Sequence, residues 1–451
     1  MIKLTNKAYK KFKALRCFIL NKKIKITAAA ICLSVLSLAG CQTQEAGAEN
    51  LPPAENYKDG TYKVNFIPAI DDYSNYCVFE IKQNRIKLTE LDGIKGESIK
   101  KTEDPAAKEA MLASCADNGI EPTDVAGLYA RIKDEFNKNG KISDETSAIS
   151  PLASNLVKKG ANAVIKQAKS LYKPQKESSK SVEAAVNTSF TAVVDIPVYY
   201  DGEYKASMPY YYNNYADFLT VKITNGKVEI TQFDGVNEKG ELKTKDAKLK
   251  SEMLAANKKN NLPETYPEKF VQDIKAMYTE NSGNTSKIDV VSGATQSSHC
   301  FKKLLKDILY EAMFEDGSKQ ITSSPYIDGI YSAQMSDFTN GYKEFLKIAV
   351  KNGKVNIVEY NAVDKSGNLK TNDKKLAEQM KAKSLPSPAD IFAAITAEFK
   401  AKSEPAKMDN IAGATASSNN FKLMLGELLE RNAKTGKQDL LEVKAENTPA
   451  K

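Results

Sequence analysis

The sequence predicts an α+β fold made three times over, as three tandem domains that are each an antiparallel sheet with packed helices. Two observations carry this. The tetrad Asp-Gly-x-Tyr opens three segments, at Asp59, Asp201 and Asp328, with spacings far longer than any solenoid unit, so whole domains repeat. Behind each opening the chain runs in one order: alternating strands, amphipathic helices, a frame of small residues, and a last helix. That order argues an antiparallel sheet with helices grouped beside it.

The chain begins with a basic segment and an apolar run, 26–38, that ends in Leu38-Ala39-Gly40-Cys41. A basic region followed by a short apolar stretch has the form of a secretory signal. The ending resembles the lipobox of bacterial lipoproteins, and that resemblance implies a mature chain starting at Cys41, acylated on sulfur and amine. Several acyl chains hold a protein on a membrane firmly, where one binds marginally. Nine of the 65 basic residues lie in this presequence and none of the 57 acidic ones, so the chain without it is nearly neutral. The formal charge of +8 therefore carries no argument for nucleic acid, and no basic patch interleaved with aromatics supplies one.

Of six cysteines, Cys77, Cys115 and Cys300 remain beyond Cys41, an odd and sparse set that makes no disulfide framework. Pairing of Cys77 with Cys115 stays open at this point. With a single histidine, His299, and no metal-ligand spacing, a histidine-ligated zinc or haem site is not expected. The expected divisions are a signal (1–40), a tether (41–56), a first domain (57–172), a linker (173–194), a second domain (195–316), a linker (317–325), a third domain (326–432) and a polar tail (433–451).

In the second domain Leu219, Val221 and Ile223 alternate up to Asn225-Gly226, and Val228 and Ile230 resume the alternation. In the third, Leu346, Ile348 and Val350 lead to Asn352-Gly353, then Val355 and Ile357. Asn-Gly tolerates the positive φ angles of a type I′ turn, so both read as β-hairpins. The first domain has Gln83-Asn84 in that place. Leu249 and Met253, or Leu376 and Met380, mark a helix that Asp246 or Asp373 can cap. Phe270, Ile274 and Met277, with Ile391, Ile395 and Phe399, mark the next. Phe301, Leu304, Leu305 and Ile308, with Phe421, Leu425 and Leu428, mark the last.

The frame lies just before that last helix. It reads Asp289-Val290-Val291-Ser292-Gly293-Ala294-Thr295 in the second domain and Asp409-Asn410-Ile411-Ala412-Gly413-Ala414-Thr415 in the third. In the first it is fainter, Asp144-Glu145-Thr146-Ser147-Ala148-Ile149-Ser150. Small residues at a helix start leave its first N–H groups uncovered, and the helix dipole favours an anion there. Thr295 adds a hydroxyl able to carry a phosphoester, and Ser292, Ser297 and Ser298 are candidates to cap the helix or bind phosphate oxygens. One such frame reads as an ordinary loop and cap. Two copies at the same place in a repeated domain read as an attachment site.

These repeats resemble the FMN-binding domain found in the sodium-pumping NADH:quinone reductase, in the RNF complex, and in lipoproteins of Gram-positive extracellular electron transfer. Its pattern is Asp-x-x-Ser/Thr-Gly-Ala-Thr, whose last threonine receives FMN from FAD through a magnesium-dependent flavin transferase. The resemblance implies covalent FMN on Thr295 and Thr415, with Asp289 and Asp409 as recognition acids and Ser292, Gly293, Ala294, Ser298, Gly413 and Ala414 around the cofactor. The third frame lacks one hydroxyl, at Ala412. The first has Ala148, Ile149 and Ser150 for Gly-Ala-Thr and is expected to carry no flavin, serving as a spacer or docking domain. Tyr210, Tyr211, Tyr212, Tyr215 and Tyr342 are candidates to stack on the flavin ring, or half-buried strand residues.

Two functional readings follow. One is an electron carrier, lipid-anchored outside the cytoplasm, with a membrane NADH dehydrogenase or quinol as donor and an extracellular acceptor or partner reductase. The other is a non-redox surface lipoprotein, a ligand-binding or adhesion module whose frames are decayed relics.

Overall fold

A computed structural model describes residues 56–117, 120–173, 190–281, 283 and 287–445. The chain divides into compact units 1–47 and 48–451, and every described residue belongs to the second. The signal segment, the lipidation candidate Cys41 and the tether up to residue 55 lie outside the described residues.

The first domain places β1 (Gly60–Ile67), β2 (Ser74–Lys82), β3 (Arg85–Lys95) and β4 (Ile99–Lys100) before α1 (Pro105–Asp117), α2 (Val125–Asn139), α3 (Asp144–Ile149) and α4 (Pro151–Leu171). Next come β5 (Thr191–Pro197), β6 (Gly202–Ser207), β7 (Ala216–Thr224), β8 (Lys227–Val236), α5 (Ala247–Lys259), α6 (Pro267–Glu280) and α7 (Thr295–Ala312). The last are β9 (Gln320–Thr322), β10 (Gly329–Met335), β11 (Lys343–Lys351), β12 (Lys354–Val363), α8 (Lys374–Ala382), α9 (Pro388–Lys402), α10 (Thr415–Leu428) and β13 (Leu441–Val443). Three sheets result, with orders β4-β3-β2-β1-β5, β8-β7-β6-β9 and β12-β11-β10-β13. The α+β class with three antiparallel-dominated sheets and packed helices is what the sequence predicts.

The repeated motifs have physical roles. The tyrosines of the opening tetrads, Tyr62, Tyr204 and Tyr331, are fully buried. Each hydroxyl donates to the carbonyl of Lys58, Tyr200 or Ile327, four residues back, so the aromatic body fills the core while its polar end is satisfied. Both Asn-Gly pairs turn with positive φ, and Gln83 and Asn84 take the same sign at 52° and 59°, so the first hairpin keeps its turn without glycine. Asp246 and Asp373 cap α5 and α8 as expected, accepting from the amides of Leu249 and Leu376.

Three segments differ from expectation. Residues 191–197, expected to fall across the end of the linker (173–194) and the start of the second domain (195–316), are β5, which pairs parallel to β1. In the linker 317–325, β9 pairs parallel to β6, and in the polar tail β13 pairs parallel to β10. These strands are short, and β9 and β13 show one or two inward residues among polar neighbours, too little alternation to register as periodicity. In β13 Leu441 and Val443 are buried while Glu442 faces out. Each domain thus closes its sheet with a strand that follows its last helix.

Candidate functional site

In the second domain the frame is a loop held from both ends. Ile288, before Asp289, is buried in the core. The chain turns at Ser292-Gly293, where the Ala294 amide donates to the Val291 carbonyl at 2.9 Å and Gly293 takes φ +78°. A turn with positive φ at its third residue selects glycine, because an L side chain there clashes with its own backbone. Ser298, one turn into α7, is fully buried, and its hydroxyl accepts from the Val291 amide and donates to the Ala294 carbonyl, both at 3.0 Å. Its position is therefore inside the frame, as a brace, and not at the surface where a ligand would sit.

This geometry delivers Thr295 as the first residue of an eighteen-residue helix, exposed, with Ala294 at the cap position and no side chain capping the helix. Asp289, Ser292 and Gly293 are exposed around it and Ala294 is buried beneath. The third domain repeats each feature. Gly413 takes φ +76°, the Ala414 amide donates to Ile411 at 2.9 Å, and Ser418 accepts from the Ile411 amide at 3.0 Å. Thr415 is the exposed first residue of α10, whose cap position, Ala414, again brings no side-chain bond, and Asp409 is exposed. Ala412 stands where Ser292 does, and both are exposed, so the missing hydroxyl leaves the loop unchanged.

The first domain departs more than its letters suggest. There the frame is helical, α3, followed at once by α4, which Ser150 caps by accepting from the Ala153 amide. The buried stripe fixes the register: Val157, Gly160, Ala161, Val164 and Ala168 stand at the same offsets from Pro151 as Phe301, Leu304, Leu305, Ile308 and Ala312 from Thr295. The residue that corresponds to Thr295 is thus Pro151, with no hydroxyl, and Ser150 corresponds to Ala294. Ser154 corresponds to Ser298, and its buried hydroxyl has no hydrogen-bond partner, because the loop it would brace is absent.

Beneath the frames lie polar clusters that the sequence does not announce. The Lys243 ammonium donates to Asp217 Oδ1 at 2.9 Å and to Ser297 Oγ at 3.0 Å, all three side chains buried. In the third domain Ser417 donates to Glu344 Oε1 at 2.5 Å and Tyr360 donates to Oε2 at 2.8 Å. Burial, reinforced by Glu344, pushes the Tyr360 phenol far up, so it stays a donor. Either cluster ties the start of the second strand, β7 or β11, to the first turn of the helix that begins at Thr295 or Thr415. In the first domain Asn75 stands there and donates to the Tyr73 carbonyl instead.

The aromatic candidates separate. Tyr215 and Tyr342 donate to the capping carboxylates of Asp246 and Asp373 at 2.7 and 2.5 Å, so they are structural. Tyr210 donates to the Lys434 carbonyl of the third domain at 2.7 Å and accepts from Gln296, the residue after Thr295. Tyr211 and Tyr212 are exposed. His299 is half-buried against Gly436, and burial, then Lys302, holds its pKa below the usual histidine range. Cys77, Cys115 and Cys300 are buried and unbridged. Among the described residues no group of histidine, cysteine and carboxylate side chains is placed to hold a metal, and no helix is long and apolar enough to cross a membrane.

A family described as the FMN-binding domain matches residues 215–310, which include the whole second frame. The 15 kDa lipoprotein of Treponema pallidum (strain Nichols) is 32% identical over 126 residues, 28% of this chain and 87% of that protein. The crystal structure of the CPE2226 protein from Clostridium perfringens matches 26% of this chain and 98% of its own at 32% identity, with a TM-score of 0.25. With the 15 kDa lipoprotein matched over 87% of its length at 32% identity, and the frame inside the residues that the family matches, the chain belongs to the FMN-binding domain family.

Proposed function

We propose that this protein is a lipid-anchored carrier outside the cytoplasm that bears two covalent FMN groups, on Thr295 and Thr415, and relays electrons. The observation that carries this reading is the pair of matching frames: an exposed threonine as the first residue of a long helix without a side-chain cap, behind a glycine turn. The residues fit a phosphoester. The threonine hydroxyl supplies the ester oxygen, and the free N–H groups and dipole of the first turn favour the phosphate charge. Gly293 and Gly413 keep the approach open to a flavin transferase. The bound flavin would supply the redox chemistry; the protein supplies place and environment.

The Asp289 and Asp409 carboxylates, exposed at the mouth of each loop, serve in this reading as recognition points for the transferase. The lipoprotein-like start of the chain, with acylation at Cys41, and the lipoprotein named among its relatives support membrane anchoring. A covalent bond suits that place, since a dissociable cofactor is lost by dilution outside a cell. The donor is then a membrane NADH dehydrogenase or quinol, and the acceptor lies outside the cell or on a partner reductase.

The test is expression with a flavin transferase, followed by a denaturing gel and peptide mass analysis. Yellow fluorescence should persist in either single variant, Thr295→Val or Thr415→Val, and vanish in the double variant. A colourless wild-type chain beside an active transferase would sink the proposal.

A further inference from the structure

The loops between the first two strands of each domain share one shape. Each tip has two consecutive residues at positive φ, Asp71-Asp72, Asn213-Asn214 and Asn340-Gly341, closed by the bridges Ile70–Tyr73, Tyr212–Tyr215 and Thr339–Tyr342. The residue just before the bridge is therefore equivalent in all three. It is Ala69 in the first domain, Tyr211 in the second and Phe338 in the third. Tyr211 is 51% exposed and Phe338 41%. Large rings stand open in the two domains whose helix begins with threonine, and a methyl stands in the one whose helix begins with Pro151.

These rings lie at the attachment end of each domain. The strand leaving the loop is tied to the first helical turn through Asp217, Lys243 and Ser297, or through Glu344 and Ser417. In the second domain Gln296 also donates to Tyr210, the neighbour of Tyr211, at 3.4 Å. From Met208, whose amide donates to the Asp217 carbonyl, the three residues to Tyr211 bend at Pro209 and Tyr210 and reach at most about 10 Å. The ribityl chain of FMN spans a comparable length between phosphate and ring.

We propose that Tyr211 and Phe338 are the flavin-positioning residues of the second and third domains, each stacking on the isoalloxazine ring of the cofactor esterified to its own domain's threonine. This rests on the attachment proposed above. The ester fixes only the phosphate end; an aromatic plate fixes the ring and removes apolar surface from water. Lys343, with its ammonium 5.3 Å over the Phe338 ring, covers one face of Phe338 and leaves the other for the flavin.

The experiment uses the full chain with one flavin at a time, and peptide mass analysis first establishes that the flavin is attached. A contacting phenol quenches flavin emission and a phenyl ring does not. In the Thr415→Val background, emission should rise on unfolding. It should rise by roughly two- to tenfold in Tyr211→Ala, the bias a single aromatic stack supplies. Tyr211→Phe should also raise it while keeping the visible circular dichroism of a held ring. In the Thr295→Val background, Phe338→Tyr should lower emission, a gain that a merely structural residue would not produce. Unchanged emission and dichroism in Tyr211→Ala and Phe338→Tyr, with flavin attached by mass, overturn the stacking and leave attachment standing. Absence of attached flavin overturns both.

Discussion

The Ser298 hydroxyl accepts a hydrogen bond from the Val291 amide at 3.0 Å, and through it the first turn of α7 holds the loop that presents Thr295. Ser418 and Ile411 repeat the relationship at the same distance. Removing the hydroxyl strands the half-buried Val291 amide, while the Ala294 carbonyl still accepts from the Ser298 amide. Ser298→Ala should cost about 1–2 kcal/mol. It should also slow flavin loading at Thr295 while Thr415 loads normally, as read by mass analysis over time. Equal loading at both sites would show that the brace does not order the loop for modification.

Gly293 gives a sharper test of the same loop. At φ +78°, with Asn257 Oδ1 3.2 Å and Thr265 Cβ 3.4 Å from where a Cβ would sit, an added methyl meets both strain and contact. Gly293→Ala should lower stability by about 1–3 kcal/mol. Flavin should be depleted at Thr295 only. A denaturant midpoint and a site-by-site flavin count measure the two effects separately.

In the first domain, letter-by-letter alignment sets Ser150 opposite Thr295, whereas the buried stripe of α4 sets Pro151 there. Ser150→Thr should therefore gain no flavin. A double change that restores the turn glycine and a threonine at the helix start, Ile149→Gly with Pro151→Thr, is the minimal set expected to gain one. Fluorescence of the denatured band decides it in a background lacking Thr295 and Thr415. Flavin on the single variant would mean that the transferase reads letters and not helix register.

That contrast shows how far the sequence can be read. Periodic apolar residues, Asn-Gly turns and repeated tetrads mark the hairpins and helices because each leaves a local signature of spacing. The closing strands β5, β9 and β13 leave little, since a short edge strand is defined by its partner. The turn and helix start at Thr295 and Thr415 are legible because the frame is contiguous. The Asp217–Lys243–Ser297 cluster is not, because its members come from a strand, a turn and a helix and meet only on folding. Its one trace is the Lys-Thr pair repeated at Lys243 and Lys370. Tyr215 and Tyr342, in turn, read from the sequence either as stacking residues or as half-buried strand residues, and only the fold shows their hydroxyls on capping carboxylates.

Lys159 gives a pH dependence. Its ammonium donates to the Val198 carbonyl at 2.9 Å and lies 3.8 Å over the Tyr200 ring, joining the first domain to the second. Burial pushes its pKa down to about 8 from 10.5, against a smaller upward pull from Asp201. Between those two values the unfolded chain holds a proton that the folded chain has released, so this residue makes stability rise with pH across that window. Relative to Lys159→Met, the wild-type urea midpoint should climb as pH passes from about 8 to 10.5. Parallel curves would mean that the lysine titrates normally in the folded state.

Gly436 reports on the contact between the second and third domains. It has φ +75°, and a Cβ there would overlap His299 Nδ1, on the helix that carries Thr295. Two costs then act on Gly436→Ala: a left-handed backbone, about 1 kcal/mol, and a clash with the half-buried His299 imidazole. Together they should reach about 2–3 kcal/mol. In a His299→Ala background the clash disappears while the backbone cost remains, so the penalty should fall to about 1 kcal/mol. The difference between the two penalties is the coupling energy of the pair, measured by denaturant midpoints on four proteins. Equal penalties in both backgrounds would mean that His299 and Gly436 do not touch, and that α7 is free of the third domain at this point.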